Sequence, residues 1–179
     1  MDREDAPSRP PVRIERAGLA DLPEALRVQH CAFARVARWL GMEDASQLPP
    51  MAETLEDVER LVEDQGAIVL IARTGEGMAG PVVGTVRGLL GEDGSVEIGR
   101  LGVADSWEGR GIGRALMIAI EEAYPDVERF VLFTGRDATG PIRLYESLGY
   151  GIVSDQEFSP GVFVVWLEKC RKRRVDSSA

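Results

Sequence analysis

The chain has 179 residues, 44% of them apolar, with 21 basic against 30 acidic side chains and a formal charge of −9. That length and composition give one ordinary domain with its own core, and the negative balance excludes a general nucleic-acid binder. The longest clean apolar run, residues 67–72, is far too short to span a membrane. The acidic start Met1-Asp2-Arg3-Glu4-Asp5 has neither the basic nor the apolar stretch of a secretory signal, so a soluble, cytoplasmic protein is expected. Cys31 and Cys170 are too few for a disulfide framework, and His30 alone cannot build a histidine metal site; no metal is expected.

Residues 1–11 hold three prolines among alternating charges and read as a disordered leader. Residues 12–16 alternate apolar and charged, as an opening strand does. Asp21 is a helix N-cap candidate, and Leu22, Leu26, Phe33 and Ala37 follow on one helical face. His30 shares that face and is expected to be a partly buried, hydrogen-bonded ring; Cys31 reads as a small buried side chain. Residues 39–50 look irregular and end in Pro49-Pro50. Thr54, with Asp57 three residues on, caps a second helix striped by Leu55, Val58, Leu61 and Val62.

The period changes at Ala67. Strands are expected over 67–73, 82–90 and 95–103, with turns at 74–77 and 91–94. A glycine-rich loop then opens a helix whose core face is Ile112, Leu116, Ala119, Ile120 and Ala123, stopped by Pro125. A strand over 130–134, a helix over 138–148 ended by Gly149, and strands over 150–153 and 162–167 complete the order. The expected fold class is α/β (α+β): a mixed, mostly antiparallel sheet of about seven strands with helices on both faces. Residues 12–169 form the single domain, and 170–179 a basic and polar tail.

Arg110-Gly111-Ile112-Gly113-Arg114 lies between a strand and a helix. Glycines let the backbone bring several N–H groups to one point, and the helix start adds about half a positive charge. The result suits an anion such as a pyrophosphate. A Rossmann loop would want Gly or Ala where Leu116 stands, and no Gly-Lys-Ser/Thr ending marks a P-loop. A strand-to-helix turn without a ligand stands level with the anion site on spacing alone.

Residues 96–103, Val-Glu-Ile-Gly-Arg-Leu-Gly-Val, followed by residues 108–116, Glu-Gly-Arg-Gly-Ile-Gly-Arg-Ala-Leu, resemble the acetyl-CoA signature of the GNAT superfamily of N-acetyltransferases. Residues 142–150, Ile-Arg-Leu-Tyr-Glu-Ser-Leu-Gly-Tyr, are similar to that family's second hallmark, in the same order. The resemblance implies that backbone groups of Leu101, Gly102 and Val103 pair with the pantetheine arm of acetyl-CoA. Glu108, Gly109, Arg110, Gly111, Ile112, Gly113 and Arg114 would then hold the pyrophosphate. Two departures stand out: the first loop position is Glu108, a carboxylate expected to turn to solvent. The family's asparagine before the tyrosine is missing, with Ala138 and Pro141 in that region.

Acetyl transfer to an amine needs a proton acceptor for the amine and a proton donor for the departing thiolate. Glu97 stands six residues before Val103, about 20 Å of extended chain, and its offset resembles that of the general base in histone-acetyltransferase members; a solvated strand carboxylate is the alternative. Tyr145 resembles the tyrosine that donates to the CoA sulfur, with Tyr150 a core residue. A backbone N–H near residues 101–103, at a strand irregularity, would meet the oxyanion. The implied activity is acetyl-CoA-dependent N-acetyl transfer to a primary amine, a small molecule or amino-acid derivative, by direct attack in a ternary complex. A protein or peptide amine, or a silent acyl-CoA sensor, are the alternatives; a homodimer is compatible with the family. The acidic chain points to a cationic acceptor.

Overall fold

The computed structural model describes residues 11–40, 42–75 and 80–171. Nearly all of the expected leader, most of the 170–179 tail and part of the 74–77 turn lie outside the described residues. Seven strands form one sheet: β1 (Val12–Arg16), β2 (Ile68–Thr74), β3 (Val82–Leu90), β4 (Val96–Val103), β5 (Arg129–Gly135), β6 (Gly151–Ser159) and β7 (Val162–Cys170). Their order is β1-β2-β3-β4-β5-β7-β6, with every pairing antiparallel except β4 with β5. The helices are α1 (Leu22–Trp39), α2 (Pro49–Ala52), α3 (Leu55–Asp64), α4 (Ile112–Glu122) and α5 (Thr139–Ser147). The expected mixed, mostly antiparallel sheet is what forms.

The continuous apolar run of β2 marks a strand covered on both faces. Val69 and Ile71 pack with Leu22, Ala25 and Val28 of α1 and Val58 of α3. Ile68, Leu70 and Ala72 pack on the other side with Ile112, Leu116, Met117 and Ile120 of α4. Helices therefore lie on both faces. The Thr54 cap forms as expected: its Oγ1 accepts from Asp57 N–H at 3.2 Å, and Asp57 Oδ2 accepts from Thr54 N–H at 2.9 Å.

Four details differ from the sequence expectation. The buried stripe of α1 is Leu22, Ala25, Val28, Gln29, Ala32 and Ala37; Leu22 and Ala37 are covered as expected, but Leu26 and Phe33 are only partly covered. The helix approaches the sheet closely: a β-carbon on Gly102 would lie 3.0 Å from the Ala32 β-carbon. Small side chains therefore face inward, and the spacing of the large ones misleads. Pro49 and Pro50 start α2 instead of ending an irregular stretch, because proline lacks only an N–H that a first helical turn leaves unbonded anyway. β6 runs to Ser159 and is exposed along its whole length; as an edge strand it carries no apolar alternation to read. Asp21 stands at the α1 N-cap, but its carboxylate accepts from Gly18 N–H and from Arg73 at 2.6 Å instead of capping the helix.

Candidate active site

β4 and β5 pair only at Val96 with Phe130 and Glu97 with Val131. Beyond Glu97 no further rung joins them, so the two parallel strands part toward their C-terminal ends. β4 is also bulged. Thr85 faces Gly102 and Arg87 faces Gly99, which leaves Arg100 and Leu101 together opposite Val86. Arg100 has φ +59°, and among the described residues it is the non-glycine residue with positive φ. The irregularity thus begins one residue before the expected 101–103 stretch. A bulge reorients the side chains on either side of it.

After β4 a 3-10 turn (Asp105–Trp107) leads to Glu108, Gly109, Arg110 and Gly111, and α4 begins at Ile112. Gly109 and Gly111 have φ +68° and +78°, and a β-carbon on either would meet nothing within 4 Å. Their need for glycine is thus conformational, not steric. Gly111 gives α4 no side-chain cap, which leaves the first-turn N–H groups of Ile112, Gly113 and Arg114 without helical partners. A β-carbon on Gly113 would lie 3.7 Å from Leu144, 3.9 Å from Val103 and 4.0 Å from Leu101. The end of β4, the start of α4 and α5 therefore converge on one point. Arg114 adds a tie, donating from Nη1 to Ser147 Oγ at 2.8 Å.

Arg110 curls back on its own loop, donating to the Ser106 carbonyl at 2.7 Å with its guanidinium 4.5 Å above the Trp107 ring. Glu108 is exposed, as expected, but it is not unpaired. Arg35 of α1 pairs with both Glu108 and Asp105, and its Nη2 lies 3.4 Å from the Val103 carbonyl oxygen. That pairing offsets the negative charge that the sequence places beside the loop. Spacing could not reveal Arg35, because its partners lie about seventy positions away.

Tyr145 sits in the core cluster on the α4 side, edge-on to Tyr150 with ring centroids 6.2 Å apart. Burial pushes its hydroxyl up to about 12, so it is protonated at neutral pH. Among the described residues Trp166 Nε1 is the sealed side-chain polar atom without a partner. Among the described residues no hydrogen bond holds the Tyr145 hydroxyl, and it is not sealed in the way Trp166 Nε1 is. Tyr150 is a core residue, and its hydroxyl donates to Glu121 Oε1 at 2.9 Å. Lys169 completes that group at 2.6 Å from Glu121 Oε2.

Glu97 is exposed at the last β4–β5 rung. Ile98 packs on the α4 side, so alternation turns Glu97 to the α1 side. No hydrogen bond or ion pair among the described residues joins Glu97 to the loop or to Tyr145. The structure thus gathers residues 101–103, the loop and α5 together, and holds Glu97 on the opposite face at the base of the split.

On that α1 face lies a cluster that sequence reasoning missed. Glu53, between α2 and α3, has a side chain 8% exposed and pairs with Arg87 of β3 at 2.8 Å and Arg100 of β4 at 3.3 Å. Gln29 Nε2 donates to Glu53 Oε2 at 2.8 Å and to the Pro50 carbonyl at 2.9 Å. Burial raises the Glu53 carboxyl, but the Arg87 and Gln29 hydrogen bonds and the Arg100 charge outweigh it and hold it below the ordinary range. His30 is partly buried with Nε2 3.1 Å from the Glu53 carbonyl oxygen, the hydrogen-bonded ring expected. The one available signal was that Arg87 and Arg100 place a cation within mostly apolar strands. Cys31, expected to be buried, is exposed and lines an open cleft of about 690 Å³ between α1 and residues 104–106. It points away from the sheet because Ala32, not Cys31, occupies the contact with Gly102. Among the described residues no cluster of His, Cys, Asp and Glu suits a metal ion, and no helix is long and apolar enough to cross a membrane.

A family model described as the Acetyltransferase (GNAT) family matches residues 33–150. The chain belongs to the GNAT family. It is accordingly an acyltransferase. No curated protein sequence matches it. Among solved structures it is similar to the PaiA N-acetyltransferase from Thermoplasma acidophilum in complex with coenzyme A. That match has 16% identity over 89% of this chain and 99% of the other, with a TM-score of 0.72. The ribosomal-protein-alanine N-acetyltransferase from Brucella melitensis has 25% identity over 88% and 99%, with a TM-score of 0.66. YncA of Salmonella typhimurium, a putative acetyltransferase solved with acetyl-CoA, has 18% identity over 94% and 99%, with a TM-score of 0.66.

Proposed function

We propose that this GNAT protein is an acetyl-CoA-dependent N-acetyltransferase. It moves an acetyl group to a primary amine of a small molecule or amino-acid derivative, by direct attack in a ternary complex. One observation carries the reading: a loop with two left-handed glycines runs into an uncapped helix beside two parting strands. Backbone N–H groups of Gly109, Arg110, Gly111, Ile112, Gly113 and Arg114, with Glu108 at the mouth, would hold a pyrophosphate. Leu101, Gly102 and Val103 would pair with the pantetheine arm along the free edge of β4. Acetyl-CoA supplies an activated thioester. Glu97 accepts the amine proton, directly or through water, a backbone N–H of the bulged strand meets the carbonyl oxygen, and the neutral Tyr145 hydroxyl gives its proton to the departing sulfur. The reading includes a cytoplasmic enzyme that needs no metal and works as a monomer or a homodimer.

The test is release of CoA thiol from acetyl-CoA across a panel of small amines, amino acids and peptides. Thiol that appears only with an acceptor, with acetylated amine as the product, supports the reading. Acetyl-CoA binding without release from any acceptor would refute it in favour of an acyl-CoA sensor, and release from peptides alone would make the acceptor a protein.

A further inference from the structure

Two guanidinium groups share one carboxylate on the α1 face of the sheet. The side chains of Arg87 and Arg100 are only 13% and 19% exposed, and Glu53 is the acidic partner of both. Arg100 engages Glu53 through Nε, and its two terminal Nη groups have no partner among the described residues. A mostly buried guanidinium with its fork unpaired is costly unless an anion completes it. The bulge aims it: with φ +59°, Arg100 turns to the same face as Arg87 and Gly99 instead of following strand alternation. The adjoining surface is open, since a β-carbon on Gly99 would meet nothing within 4 Å. Glu97 lies on that same face, two strand residues from Gly99 and so about 7 Å along the chain.

Resting on the reading above, we propose that Arg100 and Arg87 form a carboxylate-binding subsite for the acceptor, and that the acceptor is a free amino acid. Its carboxylate takes the open fork of Arg100, a geometry suited to bidentate pairing. Its amine then falls within reach of Glu97. Glu53 and Gln29 hold the two arginines in place before the acceptor arrives. The open fork of Arg100 decides the matter locally, although the overall negative charge by itself favours a cationic acceptor. A protein N-terminus, whose α-carboxyl is an amide, lacks the group this subsite recognises.

The experiment pairs each of several amino acids with its own carboxamide and measures acetyl-CoA-dependent thiol release. The carboxamide amine is less basic, so without a carboxylate subsite the amides react faster. The wild-type protein is expected to prefer the free acids at least tenfold in kcat/KM. Arg100→Gln and, separately, Arg87→Gln should cut the acid-to-amide ratio of kcat/KM about tenfold or more, whatever either variant does to the rate on both. Preference for the amides, or the same acid-to-amide ratio in both variants, would overturn the subsite. Calorimetric binding of the corresponding N-acetyl amino acids to the CoA-loaded protein gives a readout independent of turnover. Binding that is lost in Arg87→Gln, without any turnover, keeps the subsite and refutes the enzyme reading. No binding of any N-acetyl amino acid, without turnover, overturns the subsite itself.

Discussion

Gly102→Ala tests whether α1 rests directly on β4, the strand that lines the candidate cofactor site. The added β-carbon would stand 3.0 Å from Ala32 Cβ, 3.6 Å from Gln29 Cα and 3.7 Å from the Val28 carbonyl oxygen. Carbon atoms settle at about 3.5–4.0 Å, so α1 must retreat by roughly half an ångström or more along a contact made of backbone and short side chains. No flexible end can give way. Overpacking of this kind costs about 1–3 kcal/mol, or roughly 2–4 °C of unfolding temperature per kcal/mol for a chain this size. Ala32→Gly removes the opposing methyl and by itself costs about 1 kcal/mol in a helix. Urea unfolding of both single variants and the double variant closes a cycle in which the double variant is more stable than the sum of the singles by at least about 1 kcal/mol. Additivity within about 0.3 kcal/mol would mean that α1 does not sit on Gly102, and the placement of the Gln29–Glu53 cluster would fall with it.

Tyr145→Phe is expected to lower kcat at least about tenfold with acetyl-CoA affinity unchanged; equal loss of affinity would make Tyr145 a binding residue. Its folded hydroxyl is raised to about 12 from an unfolded value near 10, so its contribution to stability is complete below pH ~10 and is lost as the pH rises toward 12. The alkaline decline measured by thermal unfolding should be shallower in Tyr145→Phe. Glu53→Gln leaves Arg87 and Arg100 without a counter-charge and should cost about 3–5 kcal/mol near neutrality. Because the Glu53 carboxyl is lowered in the folded state, that deficit holds above pH ~4.5 and shrinks as the pH falls through the folded value; a deficit independent of pH would contradict the pairing. Arg35→Ala frees the carboxylates of Glu108 and Asp105 beside the loop and should weaken acetyl-CoA binding about two- to fivefold at low salt, less at high salt. Tighter binding in that variant would refute the role given to Arg35.

Some elements are legible in the sequence because they rest on local chemistry. The Thr54–Asp57 box, the hairpin at residues 91–94 and the stripe of α4 each need only neighbours a few positions apart. The β2 run identifies a buried central strand for the same reason. The α1 face is not legible, because its register is chosen by the absent side chain of Gly102, seventy residues away. The start of β6 is legible at residues 150–153, but its outer half escapes because an edge stretch such as Ser154-Asp155-Gln156-Glu157 takes its hydrogen bonds from β7 and buries nothing. At the candidate site the glycine loop and Tyr145 are visible as a pattern. Arg35, Glu53, Arg87 and Arg100 are not, since each acquires meaning only from an ion pair across the fold. The bulge at Arg100 is equally hidden: nothing in Gly99-Arg100-Leu101 announces a left-handed arginine.

The unfolding temperature with and without acetyl-CoA tests whether the loop before α4 binds acetyl-CoA. At a hundredfold excess over Kd a single site adds about 2.7 kcal/mol, on the order of 5–10 °C for this domain. That shift is expected with acetyl-CoA and with CoA, and none with NAD or ATP. No shift at millimolar acetyl-CoA would contradict it.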